Sequence, residues 1–267
     1  MNIQHGGWYF DHEGGIRGPM VQSPLGPDTW CCGDGYVWDA VGEDINSPIG
    51  KPPVHLSRQL PFGVKGPCIK TCKGIIFNLI KSGPEAVTLQ DIAIPLSRIQ
   101  RWGGQYAAWV PEYSVAAHSL NCVRLGRYLG FSRPALLAIL LHDAAEAYVG
   151  DLVKPLKTLC ESYSVVEDRI QGVIADAAGC DFEKYAEDIR VVDNALLVLE
   201  KNTIINGGQD WVYTFEDQAL RVIPRKFELL FYPRQRLGRA WRFLRGRWSG
   251  GCPVREFVKA YSELGGI

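Results

Sequence analysis

Three residues able to bind a metal or move a proton close a strongly apolar stretch. They are His142, Asp143 and Glu146, in Ala138-Ile139-Leu140-Leu141-His142-Asp143-Ala144-Ala145-Glu146. Adjacent His and Asp offer one nitrogen and one oxygen ligand, a set suited to a divalent transition metal. The stretch predicts a helix with an N-cap at Ser132, Pro134 in the first turn and a stop at Gly150. Apolar residues at 136, 137, 139, 140, 141 and 144 leave little of it for water, so it is expected to be central. Buried charge is costly unless it is paired or holds a metal. His142 and Glu146, four residues apart, share a helical face, and Asp143 is offset by one residue. A capped core histidine beside a solvated aspartate would account for such a pair equally well. A metal site needs further ligands, and there are candidates on both sides. His118 lies in Tyr113-Ser114-Val115-Ala116-Ala117-His118-Ser119, at the start of the preceding helix. Asp193 lies inside the apolar run Val191-Val192-Asp193-Asn194-Ala195-Leu196-Leu197.

The order H…HD…D, each member on its own helix, resembles the HD-domain metal phosphohydrolases. The likeness extends to Leu89-Gln90-Asp91-Ile92-Ala93, to Arg101-Trp102-Gly103-Gly104, and to the run from Leu141 to Leu152 with its Gly150-Asp151. These passages are similar to the nucleotide-hydrolysing branch, the bacterial 5′-deoxynucleotidases and the phage-type dATP triphosphohydrolases. The resemblance spans Thr71 to Ile205, about half of the chain. It implies a mainly α fold, an HD-domain helical bundle, with an irregular or β-containing N-terminal extension. It implies His118, His142, Asp143 and Asp193 as ligands of Zn, Mn, Co or Fe, with additional Mg on the substrate phosphates. Glu146 would be the acid/base residue for the attacking water; as a surface glutamate it would instead pair with Lys157 or a neighbour. Asp151 would protonate the leaving oxygen or hold the sugar, or merely cap the turn through Lys154-Pro155-Leu156. Arg101, a planar fork suited to phosphate, matches the family's phosphate-binding arginine. Trp102 matches an aromatic lying against the nucleoside, with a core tryptophan as the competing reading. Lys154 and Lys157 are further phosphate candidates. Phage-type members carry Phe after the arginine and His soon after Gly-Gly, where this chain has Trp102 and Gln105, so the nucleobase stays open.

The implied reaction is hydrolysis of a deoxynucleotide by water attack at the α-phosphorus. A triphosphate substrate, slightly favoured and dATP among the options, would give deoxynucleoside and triphosphate; a monophosphate would give phosphate. Other HD hydrolase substrates remain open, such as guanosine tetraphosphate or a cyclic nucleotide. So does a non-enzymatic protein that binds nucleic acid or a partner.

Composition narrows the setting. With 267 residues the chain can bury a sizeable core. Lys plus Arg and Asp plus Glu both number 29, so no overall basic field argues for nucleic acid. No apolar run approaches a membrane span and no signal-peptide layout opens the chain, so a cytoplasmic protein is expected, with no membrane partner. A homo-oligomer is the expected assembly. The eight cysteines show no framework spacing and read as reduced thiols. Zinc held by Cys31-Cys32, Cys68, Cys72 and His5 or His12 would need adjacent cysteines on one ion, a poor arrangement.

Three regions follow. Residues 1–70 are a Gly/Pro-rich extension with aromatic clusters and no helical period. Residues 71–205 form the HD domain. Residues 206–267 form an appendage packing on it. Within the middle region, Gly74 to Ile80 predicts a strand and turn. Thr88 with Asp91 predicts a capping box for a helix running to Arg101. Ser114 caps a helix carrying Val115, His118 and Cys122 on one side. Val165–Ala178 ends at Gly179, and Phe182–Asn202 carries Asp193. Trp211–Phe215 reads as extended. Pro233 opens a helix with Arg234, Arg236, Arg239, Arg242, Arg245 and Arg247 among aromatics, either a phosphate-binding surface or a solvated face.

Overall fold

The protein was examined as a computed structural model. It describes residue 3 and residues 8–11, 16–18, 20–22, 30–31, 36–38, 42–46, 56–60, 66–108, 110, 112–225, 227 and 252–266. The Arg234–Arg247 segment, Cys32, His5 and His12 lie outside them. The fold is mainly α, with a β-containing N-terminal region. It divides into two units: residues 1–70 with 76–81, and residues 71–75 with 82–267.

The first unit is antiparallel throughout its described pairings. β1 (Trp8–Asp11) lies between β2 (Ile16–Arg17) and β7 (Leu56–Leu60). A second sheet runs β3 (Val21–Gln22), β4 (Trp30–Cys31), β5 (Val37–Trp38) and β6 (Asp44–Asn46) in chain order. β8 (Cys68–Lys70) and β9 (Ile76–Asn78) form a hairpin, at the strand and turn expected near Gly74. Alternation along β1 sends Tyr9 and Asp11 to one buried face. There Tyr9 joins Ile3, Met20, Tyr36 and Trp38 in a small core, and Asp11 is neutralised by Arg17 at 2.9 Å.

The second unit is helical. Its axis is α3 (Arg133–Leu141), whose residues from Ala135 to Leu141 are all buried. Around it pack α2 (Val115–Tyr128), α7 (Ala186–Ile204) and the C-terminal α9 (Pro253–Leu264). α9 also packs on α1 (Leu89–Leu96) and α2, so the end of the chain closes the same bundle. α4 (Glu146–Val149), α5 (Lys154–Leu159), α6 (Glu161–Ala178) and α8 (Glu216–Arg221) complete the unit. No described helix is long and apolar enough to cross a membrane.

The caps lie where local chemistry puts them. The Ser114 and Ser132 hydroxyls accept from Ala117 N and Ala135 N, and Gly179 ends α6 in the left-handed region. Thr88 Oγ1 accepts from Asp91 N at 3.1 Å and donates to Asp91 Oδ2 at 2.9 Å. Boundaries differ more. α1 stops at Leu96 rather than Arg101, because Pro95 lies inside it and its carbonyl takes Arg98 N and Ile99 N. α6 begins at Glu161 rather than Val165. α7 begins at Ala186 rather than Phe182, after a turn in which Asp181 accepts from Lys184 N. The single helix expected from Ser132 to Gly150 is broken after Leu141. Trp211–Phe215 is not a strand. A 3₁₀ turn, Gly208–Asp210, precedes it, and it turns into α8 after Tyr213 N bonds Glu216 at 3.2 Å.

Asp91 is 1% exposed and ties the 71–75 loop to α1. It accepts from Cys72 Sγ at 3.0 Å, Lys73 N at 2.9 Å and Thr88 Oγ1. Burial works to raise its pKa, but these bonds outweigh it and hold the carboxyl below its ordinary value. A depressed carboxylate contributes stability above its unfolded pKa and loses it as pH falls through the folded one. Asp91→Ala should therefore cost on the order of 2–3 kcal/mol near neutral pH. The deficit should shrink on acidification, as read by urea unfolding at several pH values.

Candidate functional site

The break in the central helix builds the site. α3 ends at Leu141, and His142 to Ala145 form tight turns, with Ala144 N on Leu141 O at 2.9 Å and Glu146 N on Asp143 O at 3.1 Å. Gln171 of α6 bridges the break. Its amide donates to Leu141 O at 2.7 Å and accepts from Ala145 N at 3.0 Å, satisfying one group on each side. His142 and Asp143 thus follow directly on the buried stretch of α3 from Ala135 to Leu141.

Both histidines are held in one orientation. His142 Nδ1 lies 2.8 Å from Ile139 O, and His118 Nδ1 lies 2.6 Å from Glu200 Oε1. Burial opposes protonation, but Glu200 and Asp193 at His118, and Asp143 and Asp193 at His142, hold both imidazoles well above their ordinary pKa. The two rings lie 5.3 Å apart. His118 Nε2 is 3.1 Å from Asp193 Oδ1 and 3.8 Å from Asp143 Oδ2. His142 Nε2 is 3.3 Å from Asp143 Oδ2 and 3.8 Å from Asp193 Oδ1, and is buried without a hydrogen bond. Cys122, one turn after His118, places its Sγ 3.4 Å from His118 Nε2. His118, Cys122 and His142 form a group that could hold a metal ion.

Arg101 enters the same place with its side chain 12% exposed. It reaches Asp143 Oδ2 at 3.3 Å and Glu200 Oε2 at 3.8 Å, with Asp193 Oδ1 at 4.0 Å. Its loop is fixed by Arg101 N on Tyr113 O and by Trp102 and Gly103, both in the left-handed region at φ 58°. Trp102 is the non-glycine residue with positive φ among the described residues, a costly conformation for a bulky side chain. Its indole donates to Glu200 Oε2 at 3.2 Å, and Tyr113 Oη donates to Glu200 Oε1 at 2.8 Å.

The charges perturb one another. Burial disfavours ionisation of Asp193, but the neighbouring His118 and His142 imidazoles hold it well below the usual carboxylate range. Glu200 is also held low despite its burial, by His118 and Arg101. Glu146 is 6% exposed, and burial, then Asp143 and Asp151, push its carboxyl well up. Asp151 is half-buried and raised chiefly by burial.

The structure brings His118, His142, Asp143, Asp193, Arg101 and Trp102 together, with Glu146 and Asp151 within electrostatic reach of Asp143. Asp151 does not cap the next helix. The N-cap of α5 is Val153, with no side-chain bond. Lys154 is exposed. Lys157 pairs with Glu167, so among the described residues no contact joins either lysine to the cluster. Three participants were not expected from the sequence. Glu200 lies seven residues after Asp193 on α7, about two turns on along the same face, and that spacing was a usable signal. Cys122 carried the same signal at four residues from His118. Gln171 had none, because its partners come from another helix.

The class is a helical protein with a His-Cys-His group that could hold a metal ion. No protein-family model matches the chain. It is 31% identical over 144 residues to the uncharacterized protein YfdR of Escherichia coli, an alignment covering 54% of this chain and 76% of YfdR. The chain belongs to the family of YfdR. It is also 34% identical over 100 residues to an uncharacterized protein of Rhodobacter capsulatus, covering 36% of this chain and 50% of that one.

Glu200 orients His118 without reaching the place where an ion would sit. Partners of this kind are typically worth ten- to a hundredfold in metal affinity. Glu200→Gln should lower affinity by about that much and also lower the melting temperature, since its one amide oxygen can serve His118 and Tyr113 but leaves the Trp102 indole facing an NH2. Competition with a fluorescent chelator reads the first and thermal unfolding the second.

Proposed function

We propose that this chain is a metal-dependent phosphohydrolase that cleaves deoxynucleotides at the α-phosphorus. The observation that carries the reading is the gathering of three carboxylates around two imidazoles and a single guanidinium. One guanidinium, Arg101, faces the three carboxylates of Asp143, Asp193 and Glu200. Without an ion the charge balance is met by keeping both histidines protonated; a divalent cation would take the place of those two protons. The spacing supports the same view. Ligand atoms about 2.0–2.2 Å from one ion lie roughly 3–3.6 Å apart, and the four oxygen-to-nitrogen separations are 3.1, 3.3, 3.8 and 3.8 Å. His118, His142, Asp143 and Asp193 would hold the ion, with the Cys122 thiol as a neighbour. Zn, Mn, Co and Fe all suit two imidazoles and two carboxylates.

When bound, the ion supplies Lewis acidity toward the phosphoryl oxygens and makes water more acidic. The chain's own residues do the rest. Arg101 presents a planar donor fork beside the centre, with its Nε buried and without a hydrogen bond, and so can take a phosphate oxygen. Glu146 Oε2 is likewise buried without a hydrogen bond. A carboxyl with a raised pKa is poised to accept the proton of the attacking water. As water oxygen bonds to the α-phosphorus, the bond from phosphorus to the 5′ oxygen breaks. Asp151, whose pKa is also raised, can return a proton to that leaving oxygen. The products are a deoxynucleoside and phosphate or triphosphate. The triphosphate is favoured by the resemblance of the Leu89–Gly104 segment to the phage-type enzymes.

The direct test incubates the pure protein with dNTPs, dNMPs and NTPs and with Mn, Co, Zn or Mg in ¹⁸O-water, and identifies products by mass. Label is expected in released phosphate or triphosphate and none in the nucleoside. A nucleoside diphosphate with orthophosphate would mean that the γ-phosphate is cut and the substrate is placed wrongly.

Variants separate the roles. His142→Ala should lose bound metal and turnover together. Glu146→Gln should keep its metal and lose about 10²–10⁴-fold in kcat. In cobalt-loaded protein, Cys122→Ser should leave the electronic spectrum unchanged. A strong near-ultraviolet thiolate band that vanishes in this variant would put Cys122 among the ligands in place of an aspartate.

A further inference from the structure

The segment after α7 carries an aromatic series that leads out from the site. The Trp102 and Trp211 rings meet edge to face at 6.1 Å and 81°. Trp211 then contacts Tyr213 at 5.1 Å, and Tyr213 stacks on Phe215 at 5.0 Å and 11°. Of the tryptophans whose side chains are described, Trp211 is the exposed one, at 47%. The half-exposed Trp211 indole thus leaves a flat apolar face in water next to Trp102, whose own indole is tied to Glu200.

What holds it there is costly. Lys201 is fully buried, its ammonium bonding the Trp211 carbonyl and Glu216 Oε2 at 2.7 Å and lying 5.6 Å from the Tyr213 ring centre. Burying a lysine requires such full compensation. Lys201 directly follows Glu200, which holds His118 and the Trp102 indole. Two neighbouring residues of one helix thus fix the histidine of the centre and the backbone of the exposed indole. Trp102 is itself locked by its left-handed backbone and its bond to Glu200.

We propose that Trp211 is the stacking platform for the planar base of a nucleotide whose phosphate lies at Arg101, with the Trp102 edge closing the pocket's inner side. The inference rests on the nucleotide reading above and adds the residue that recognises the base. Stacking tolerates any base, because every base has a π face, so the platform selects nucleotides over plain sugar phosphates and does not choose among bases.

The experiment measures binding of dAMP and of the base-free 2-deoxyribose 5-phosphate by equilibrium dialysis to the metal-loaded full chain carrying Glu146→Gln, which slows turnover, with Trp211 either intact or changed. Trp211→Ala should weaken dAMP by about 5- to 150-fold, the range of one base stacked on one aromatic ring. It should leave 2-deoxyribose 5-phosphate unchanged, and Trp211→Phe should recover most of the loss. The Lys201 clamp grips the Trp211 carbonyl, so the side-chain change spares it. Equal affinity of the protein with Trp211 intact for the two compounds would overturn the proposal. So would unchanged dAMP binding in Trp211→Ala, or equal losses for both compounds. Base-dependent binding with no hydrolysis of any nucleotide by the wild type would overturn the hydrolase reading alone and leave the platform standing.

Discussion

Glu200 is the interaction on which the site depends. It is 1% exposed and takes the His118 imidazole, the Tyr113 hydroxyl and the Trp102 indole, with Arg101 close by. These partners come from α2, from the loop before it and from the 101–104 turn, and Glu200 itself from α7. One carboxylate therefore sets the histidine's orientation, positions the loop that carries Arg101 and joins two helices. A buried charge survives there because each oxygen is hydrogen-bonded and a guanidinium lies within 4 Å.

The second constraint is the end of α3. A helix buried on all sides cannot present polar groups along its length without stranding them among apolar neighbours. The polar residues begin where it stops, and the Gln171 bridge satisfies the backbone groups that the break exposes. Packing energy is thus concentrated in the helix, and the polar chemistry is confined to its end. The same division recurs on α7. Ala195, Leu196, Val198 and Leu199 are buried in the bundle, while Asp193 and Glu200 serve the centre and Lys201 grips the segment after the helix.

The groups of the centre point one way chemically. Two imidazole nitrogens, two aspartate oxygens and one guanidinium gather with nitrogen-to-oxygen separations of 3.1 to 4.0 Å, and the carboxylates outnumber the fixed positive charge. Such a cluster is stable when the histidines are protonated or a cation joins it, and the raised Glu146 and Asp151 carboxyls are what remains when negative groups crowd a partly dry site. The proposed chemistry uses that crowding. Groups that resist ionisation are the ones able to pass protons near neutral pH.

Local chemistry was legible in the residues themselves. Ser114, Ser132 and Thr88 with Asp91 cap helices through side chains that reach their own backbone, and Gly179 supplies the left-handed stop. The apolar run from Ala135 to Leu141 named the central helix, because a helix with no polar face has nowhere to go but inside. The H…HD…D order and its resemblance to the HD-domain phosphohydrolases grouped His118, His142, Asp143 and Asp193 as one set, and their side chains do lie together. Tertiary structure decided what depends on a second element. The break after Leu141 follows from Gln171, thirty residues away from the carbonyl it holds. The Trp211 carbonyl is held by Lys201, and Lys157 is taken by Glu167. Glu200 gains its role only when α7 lies against α2. A sequence states which groups must be satisfied; which neighbour satisfies them is settled when the helices pack.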